Sequence, residues 1–287
     1  MDDHESIIRP LRRADLAAAV AVTESVGWGD RHLQWDHFLD WAGEGALGMF
    51  IHGSLVSAGC AFCYGAELAW LGFIATRHDQ QRRGYGTRLC EALIAYAQSQ
   101  GIQRIMLDAG ASGEPLYATL GFRAHSHLGR WRGVGQAFAA PGTDKPGPGD
   151  LARVIALDAR QFGVPRGRII RDLVTDRAVK CWVLRREGDV QGFIALKAWI
   201  PGGADHIGPW HAGRPEDAQA LLSAALSAHQ GRPLYLDIPA GNADAREIAE
   251  RCGLQQTGGA TRMIFGRAKV PPKFGELQFG IAMRATG

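Results

Sequence analysis

The chain has 287 residues, close to two ordinary domains of about 150 residues each. Hydrophobic residues make up 46% and charged residues 21%, a globular mixture that excludes a disordered chain. The net charge is only +3, with 12 basic and 14 acidic side chains in residues 1–140 and 19 and 14 in residues 150–287, too thin a basic stripe for a nucleic-acid partner. The opening Met1-Asp2-Asp3-His4-Glu5 lacks signal-peptide character, and no apolar run nears the roughly 20 residues that span a bilayer. A cytoplasmic protein without a membrane partner is expected. Five cysteines, an odd count without framework spacing, fit a reducing compartment.

In chain order, residues 7–11 read as a strand ending at Pro10, and Asp15 as the cap of a helix over 16–24. Gly27-Trp28-Gly29-Asp30 is a turn, and 32–41 carries a loose helical period. Residues 49–51, 55–64 and 68–76 read as three strands, 87–100 as an amphipathic helix ended by Gly101, and 102–109 as a strand. A short helix over 115–120 closes at Gly121, before a last strand region over 122–131.

Three Pro and three Gly between Ala140 and Asp150 predict a linker over 141–149, dividing domains 1–140 and 150–287. Beyond it, 179–186 and 190–199 form a hairpin through Gly188-Asp189. A strand over 206–211, a helix over 215–229, a strand over 234–238, a helix over 243–252 and a strand over 261–265 follow. This order repeats the later part of the first half. Leu71-Gly72-Phe73 matches Ile207-Gly208-Pro209, Leu107-Asp108-Ala109 matches Leu236-Asp237-Ile238, and Leu120-Gly121-Phe122 matches Cys252-Gly253-Leu254. Three matches in sequence favour a divergent duplication. Gly72 to Asp108 spans 36 residues and Gly208 to Asp237 only 29.

Within the longer interval lies Gln81-Arg82-Arg83-Gly84-Tyr85-Gly86-Thr87, between a strand and a helix. Two glycines at such a turn let backbone N–H groups converge on an anion, and the positive end of the helix adds to the attraction. A dinucleotide fingerprint would need glycine at Leu89, and no Gly-Lys-Ser/Thr follows for a nucleotide-triphosphate loop.

The run from Ile74 to Leu89, with Ile102 to Leu107 and then Leu116-Tyr117-Ala118-Thr119-Leu120-Gly121-Phe122, resembles the GNAT superfamily of acyl-CoA N-acyltransferases. That family carries Gln/Arg-x-x-Gly-x-Gly/Ala and, downstream, Tyr-x-x-x-Gly-Phe. His78 stands where many members have Pro. The second half is similar to the C-terminal half of tandem GNAT proteins of the YitH-like type. The resemblance implies an α/β (α+β) chain of two tandem GNAT domains, each a mixed, mostly antiparallel sheet flanked by helices. It implies acetyl-CoA as acyl donor, with Ile74, Ala75 and Thr76 along the pantetheine arm. Gln81, Arg82, Arg83, Gly84, Tyr85, Gly86 and Thr87 would surround the pyrophosphate. Tyr117 would be the general acid, since an alkyl thiolate leaves more readily when protonated; the alternative for Tyr117 is packing under the sheet edge. Asp108, Glu67 and Glu24 are candidates for a general base, Asp108 foremost by its place at a strand end.

Other motifs have plainer explanations. Cys60-Ala61-Phe62-Cys63 lies in a strand, where positions i and i+3 face opposite ways, so buried core thiols are expected and no metal. His125 and His127 share a strand face without a third ligand, while Trp28, Trp35 and Trp41 either line an acceptor pocket or simply pack. In the second half Glu216 and Asp217 put negative charge at the helix start where pyrophosphate would sit, so this half is expected to have lost the acyl donor. The expected activity is acetyl transfer to a primary amine of a small molecule; a non-catalytic acyl-CoA sensor is the alternative.

Overall fold

The computed structural model describes residues 6–270, 274 and 278–287; the acidic opening at 1–5 lies outside them. The first half runs β1 (Ser6–Pro10), α1 (Leu16–Ser25), α2 (His32–Ala42), β2 (Ala46–Ile51), β3 (Ser54–Tyr64), β4 (Leu68–Thr76), α3 (Tyr85–Ser99), β5 (Ile105–Ala109), α4 (Glu114–Thr119) and β6 (Phe122–Val134). The second runs β7 (Thr143–Asp144), α5 (Leu151–Phe162), α6 (Gly167–Thr175), β8 (Val179–Arg186), β9 (Asp189–Lys197), β10 (Asp205–Ala212), α7 (Pro215–Ser227), β11 (Pro233–Pro239), α8 (Ala243–Arg251) and β12 (Gln255–Phe265).

Burial on both sides explains the long apolar run of β3. Ala58, Cys60 and Phe62 face a core beneath α1 and α2, while Ala61 faces the opposite core beneath α3. The α1–α2 core continues without a break under α5 and α6 of the second half. A further core under α7 and α8 completes the layers. Asp15 does not cap α1 with its side chain as expected. Its carboxylate instead accepts from the Arg12 N–H at 2.8 Å and from Arg9 at 2.7 Å, fastening the turn before the helix. The stretch 141–149 is not wholly a linker either, because Thr143 and Asp144 pair with Leu184 and Val183 at the sheet's outer edge.

All strands join one twelve-stranded sheet, in the order β1-β2-β3-β4-β5-β12-β6-β11-β10-β9-β8-β7. The halves therefore exchange strands: β12 of the second half lies between β5 and β6, and β6 of the first lies between β12 and β11. Each exchanged strand carries an arginine opposite the matched aspartate of the other half. Arg262 on β12 registers with Asp108 on β5, and Arg130 on β6 registers with Asp237 on β11. The Arg262 guanidinium grips both Asp108 oxygens, at 2.8 and 2.9 Å, and lies over the Trp70 ring. Arg130 does the same to Asp237, at 3.0 and 2.7 Å. After β12 the chain returns as a tail over 278–287. Arg166, buried and paired to Asp158, donates to the carbonyls of Thr286 and Gly287 and fixes its end.

Arg262 and Asp108 are both inaccessible to solvent, so removing one strands the other's charge. Arg262→Met should cost about 3–5 kcal/mol in denaturant unfolding. The double variant with Asp108→Leu should recover most of that loss, because no buried charge is then left alone; no recovery would mean that the pair acts only through packing.

Candidate active site

β4 and β5 run parallel and hydrogen-bond only near Ala69–Ile105 and Trp70–Met106, then diverge. A bulge in β4 drives the divergence. Gly72 passes so close to the tail that a Cβ there would lie 2.2 Å from the Ala285 carbonyl oxygen. Phe73 is turned into the left-handed region (φ 57°), where its ring packs against Trp28, Trp35 and Phe38 at 5.2, 5.0 and 4.8 Å. The gap opens into a cleft of about 420 Å³. Of the three tryptophans weighed for an acceptor pocket, Trp28 lines it, Trp35 lies buried behind Phe73, and Trp41 donates to Asp172.

At one end of the splay stands the glycine-rich turn. Gly84 precedes α3 with φ 81°, a left-handed conformation that side chains resist, and Gly86 faces the Thr76 hydroxyl. Among the described residues, the N–H groups of Arg82, Arg83, Gly84, Tyr85, Gly86 and Thr87 have no protein acceptor. Six unspent donors at a helix start form a cradle of the kind that binds anions. Gln81 is tied back to the Thr76 carbonyl at 3.2 Å. Along β4, Ala75 and Thr76 pair with β3 on one side only, and Ile74 lines the cleft.

Tyr117 lines the cleft from α4, whose Leu116 lies beside Gly86. Its ring packs edge-on against Phe122 at 5.9 Å, and its hydroxyl has no hydrogen-bond partner among the described residues. Burial, helped by the nearby Cys90, pushes the phenol pKa up, so it holds its proton at neutral pH. Asp108 lines the cleft with both oxygens accepting from Arg262; burial raises its pKa and the guanidinium opposes this. Glu24 and Glu67 are exposed and line no part of the cleft. Cys60 lies in the core and Cys63 is half-buried, with both thiol pKa values raised by burial; His127 lies against Thr261.

Sequence reasoning missed the far wall, because it assembles from distant segments. Arg31 and Gln34 come from the start of α2, Arg130 from β6, and His206, Tyr235 and Asp237 from the second half. Arg284 joins from the tail and donates to Asp237 at 2.7 and 3.0 Å. His206 is 6% exposed, stacks on Tyr235 at 4.7 Å, and has no partner for Nε2. Burial, then the charges of Lys197, Arg130, Arg284 and Arg31, hold its pKa well below the ordinary range. Lys197, beside it on β9, is buried and donates to the Gly208 carbonyl; burial brings its pKa down to about 7.

The second half repeats this arrangement with its gap filled. β10 and β11 also part after two pairs, Asp205–Leu234 and His206–Tyr235. There the tail inserts. Gly280 exchanges backbone bonds with Trp210 on β10, while the Ile281 N–H donates to the Asp237 carbonyl on β11 at 3.0 Å. A Cβ at Gly208, the counterpart of Gly72, would strike the Ile281 carbonyl oxygen at 2.0 Å. α7 starts after Arg214 in extended conformation, and Asp217 in its first turn is paired with Arg186.

An open splay thus has unspent backbone N–H groups beside it and a buried phenol in its wall. Family models give the class of enzyme. The acetyltransferase (GNAT) family matches residues 15–122 and an acetyltransferase (GNAT) domain matches 154–279. The chain belongs to the GNAT superfamily, as two such domains in tandem. Among solved structures, a protein from Pyrococcus horikoshii named for a proposed acetyltransferase activity is 23% identical, with TM-score 0.85 over 100% of this chain and 98% of its own. A GCN5-related N-acetyltransferase from Sphaerobacter thermophilus is 16% identical, with TM-score 0.64 over the whole of both chains. These likenesses show the fold. No curated protein matches in sequence.

Between pH 7 and 10.5 the folded chain holds Lys197 largely neutral while the unfolded chain holds it protonated. The unfolded state then binds more protons, so this group's contribution makes stability rise with pH, by at most about 1.4 kcal/mol per pH unit. Lys197→Met should lack that rise. Denaturant unfolding at pH 7 and pH 9.5 checks it: the parent should gain on the variant at the higher pH, and parallel profiles would disprove a neutral lysine.

Proposed function

We propose that the first half transfers an acetyl group from acetyl-CoA to a primary amine of a small molecule. The observation that carries this reading is the asymmetry of the two splays: one is open and joined to an unspent backbone cradle, the other is filled by the tail. Acetyl-CoA is the substrate that brings a diphosphate, a thin pantetheine arm and a thioester in the order cradle, splay and Tyr117. The residues present fit it. Arg82 to Thr87 would hold the diphosphate through main-chain N–H groups, Gln81 would brace the turn, and Ile74 to Thr76 would lie along the arm.

In the reaction the amine nitrogen lone pair forms a bond to the thioester carbon, and the carbon–sulfur bond breaks. Tyr117 gives its proton to the departing sulfur, and the surplus amine proton passes through water back to the phenolate, restoring the phenol. A phenol that burial keeps protonated suits this role. Asp108 is assigned to holding β12 against β5, because Arg262 engages both of its oxygens.

Two measurements test the proposal. Calorimetric titration of the intact chain should find one CoA per chain, and Gly84→Val should weaken it strongly, since valine resists the left-handed backbone that shapes the cradle. Two equivalents, or undiminished affinity in Gly84→Val, would refute the phosphate assignment. Tyr117→Phe should bind acetyl-CoA normally and lose about 10²–10⁴-fold in kcat, as a lost proton donor does. Binding without turnover in the parent, across a broad amine panel, would favour the sensor.

A further inference from the structure

The far wall of the cleft has more positive charge and more hydrogen-bond donors than its own carboxylates use. Four guanidinium groups, those of Arg31, Arg130, Arg262 and Arg284, meet two carboxylates, Asp108 and Asp237. Asp108 is matched by Arg262 alone. Asp237 is shared by Arg130 and Arg284 and accepts four hydrogen bonds from them. Among the described residues Arg31 forms no salt bridge; it meets Gln34 at 3.1 Å and the Tyr235 hydroxyl, with the Asp30 charge nearby, and its Nε is buried without an acceptor. The Nη1 groups of Arg130 and Arg284 have no protein acceptor among the described residues. His206 adds a fourth unused position, an Nε2 inside the same cavity with no partner and almost no exposure.

Arg31 Nε and His206 Nε2 are buried without a partner, which is costly unless a water, an ion or a ligand completes them, whereas the Nη1 groups of Arg130 and Arg284 belong to partly exposed side chains. Arginine in particular matches the planar geometry of a carboxylate or the oxygens of a phosphate. Building on the reading that transfer occurs in this cleft, we propose that the acceptor amine carries an oxyanion, bound by Arg31, Arg130, Arg284 and His206. His206 of the second half and Arg284 of the tail would thereby share the acceptor's recognition with Arg31 and Arg130 of the first half. Tyr117 lines the same cavity from the first half, so an amine a few bonds from the oxyanion can reach the thioester.

Matched acceptors test this by thiol release at saturating acetyl-CoA: glycine against glycinamide, and O-phosphoethanolamine against ethanolamine. The oxyanion member of at least one pair should exceed its neutral partner by about 10- to 100-fold in kcat/KM, the usual worth of a charged hydrogen bond. Which pair responds distinguishes carboxylate from phosphate. Arg31→Gln should raise KM for the oxyanion member alone, keep acetyl-CoA affinity, and be partly rescued by Arg31→Lys. Equal use of neutral partners, or an equal loss on both in Arg31→Gln, would overturn the proposal. Should no amine be turned over, succinate and inorganic phosphate decide. With CoA present or absent, one of them should raise the Tm of the parent and not of Arg31→Gln, and no such difference also overturns it. Failure of acetyl-CoA to bind would refute the transfer reading separately, since the anion measurement can be made without it.

Discussion

The structure depends on two ion pairs that cross between its halves, Asp108 with Arg262 and Asp237 with Arg130. Each places a guanidinium from an exchanged strand against a carboxylate that burial would otherwise make prohibitive. Such pairs add little net stability over apolar packing, but they tolerate few alternatives. A shift of β12 by one residue against β5 would turn Arg262 to the opposite face and leave Asp108 uncompensated in the core. Register in the middle of the sheet is thus fixed by charge, where the apolar runs of β3 and β4, buried on both faces, specify it less sharply.

The same pairs decide what the cleft contains. Asp237 stands where β10 and β11 part, and its two arginines come from β6 and from the tail, so exchange of strands also carries first-half charge into second-half surroundings. One duplicated scaffold has acquired two uses for an identical geometric feature, a parallel pair that parts beyond a bulge. In the first half the parting stays open beside backbone donors. In the second it accepts the chain's own residues, which form the hydrogen bonds that the parted strands lack and exclude any other occupant.

Local patterns made the element order and the cradle legible in the sequence. The apolar run of β4, the glycines at 84 and 86 and the amphipathic α3 each carry their signal within a few residues. The matches of Gly72 with Gly208 and of Asp108 with Asp237 also correspond to equivalent places in the fold. What could not be read was pairing at long range. Nothing near Asp108 announces Arg262, 154 residues away, and nothing near Trp28 announces His206. Helices α5 and α6 precede the duplicated order, which begins at 179, although Val154, Leu157, Ile169, Ile170 and Leu173 carry a helical period. Asp15 misled for a local reason: Arg9, six residues earlier, claims the carboxylate.

The exchange of strands also sets an order on the birth of the protein. β5 has its neighbour on one side in β4, complete once residue 109 has been made, but on the other side it must wait for Thr261 to Ile264. A ribosome adding about 5–20 residues per second needs roughly 8–30 seconds to cover that interval. Throughout it the strand presents unpaired N–H and C=O groups and the Asp108 carboxylate on an open edge. Such an edge is a template for association with other chains. The nascent first half therefore has a period of exposure that a duplication with each half closed upon itself would avoid.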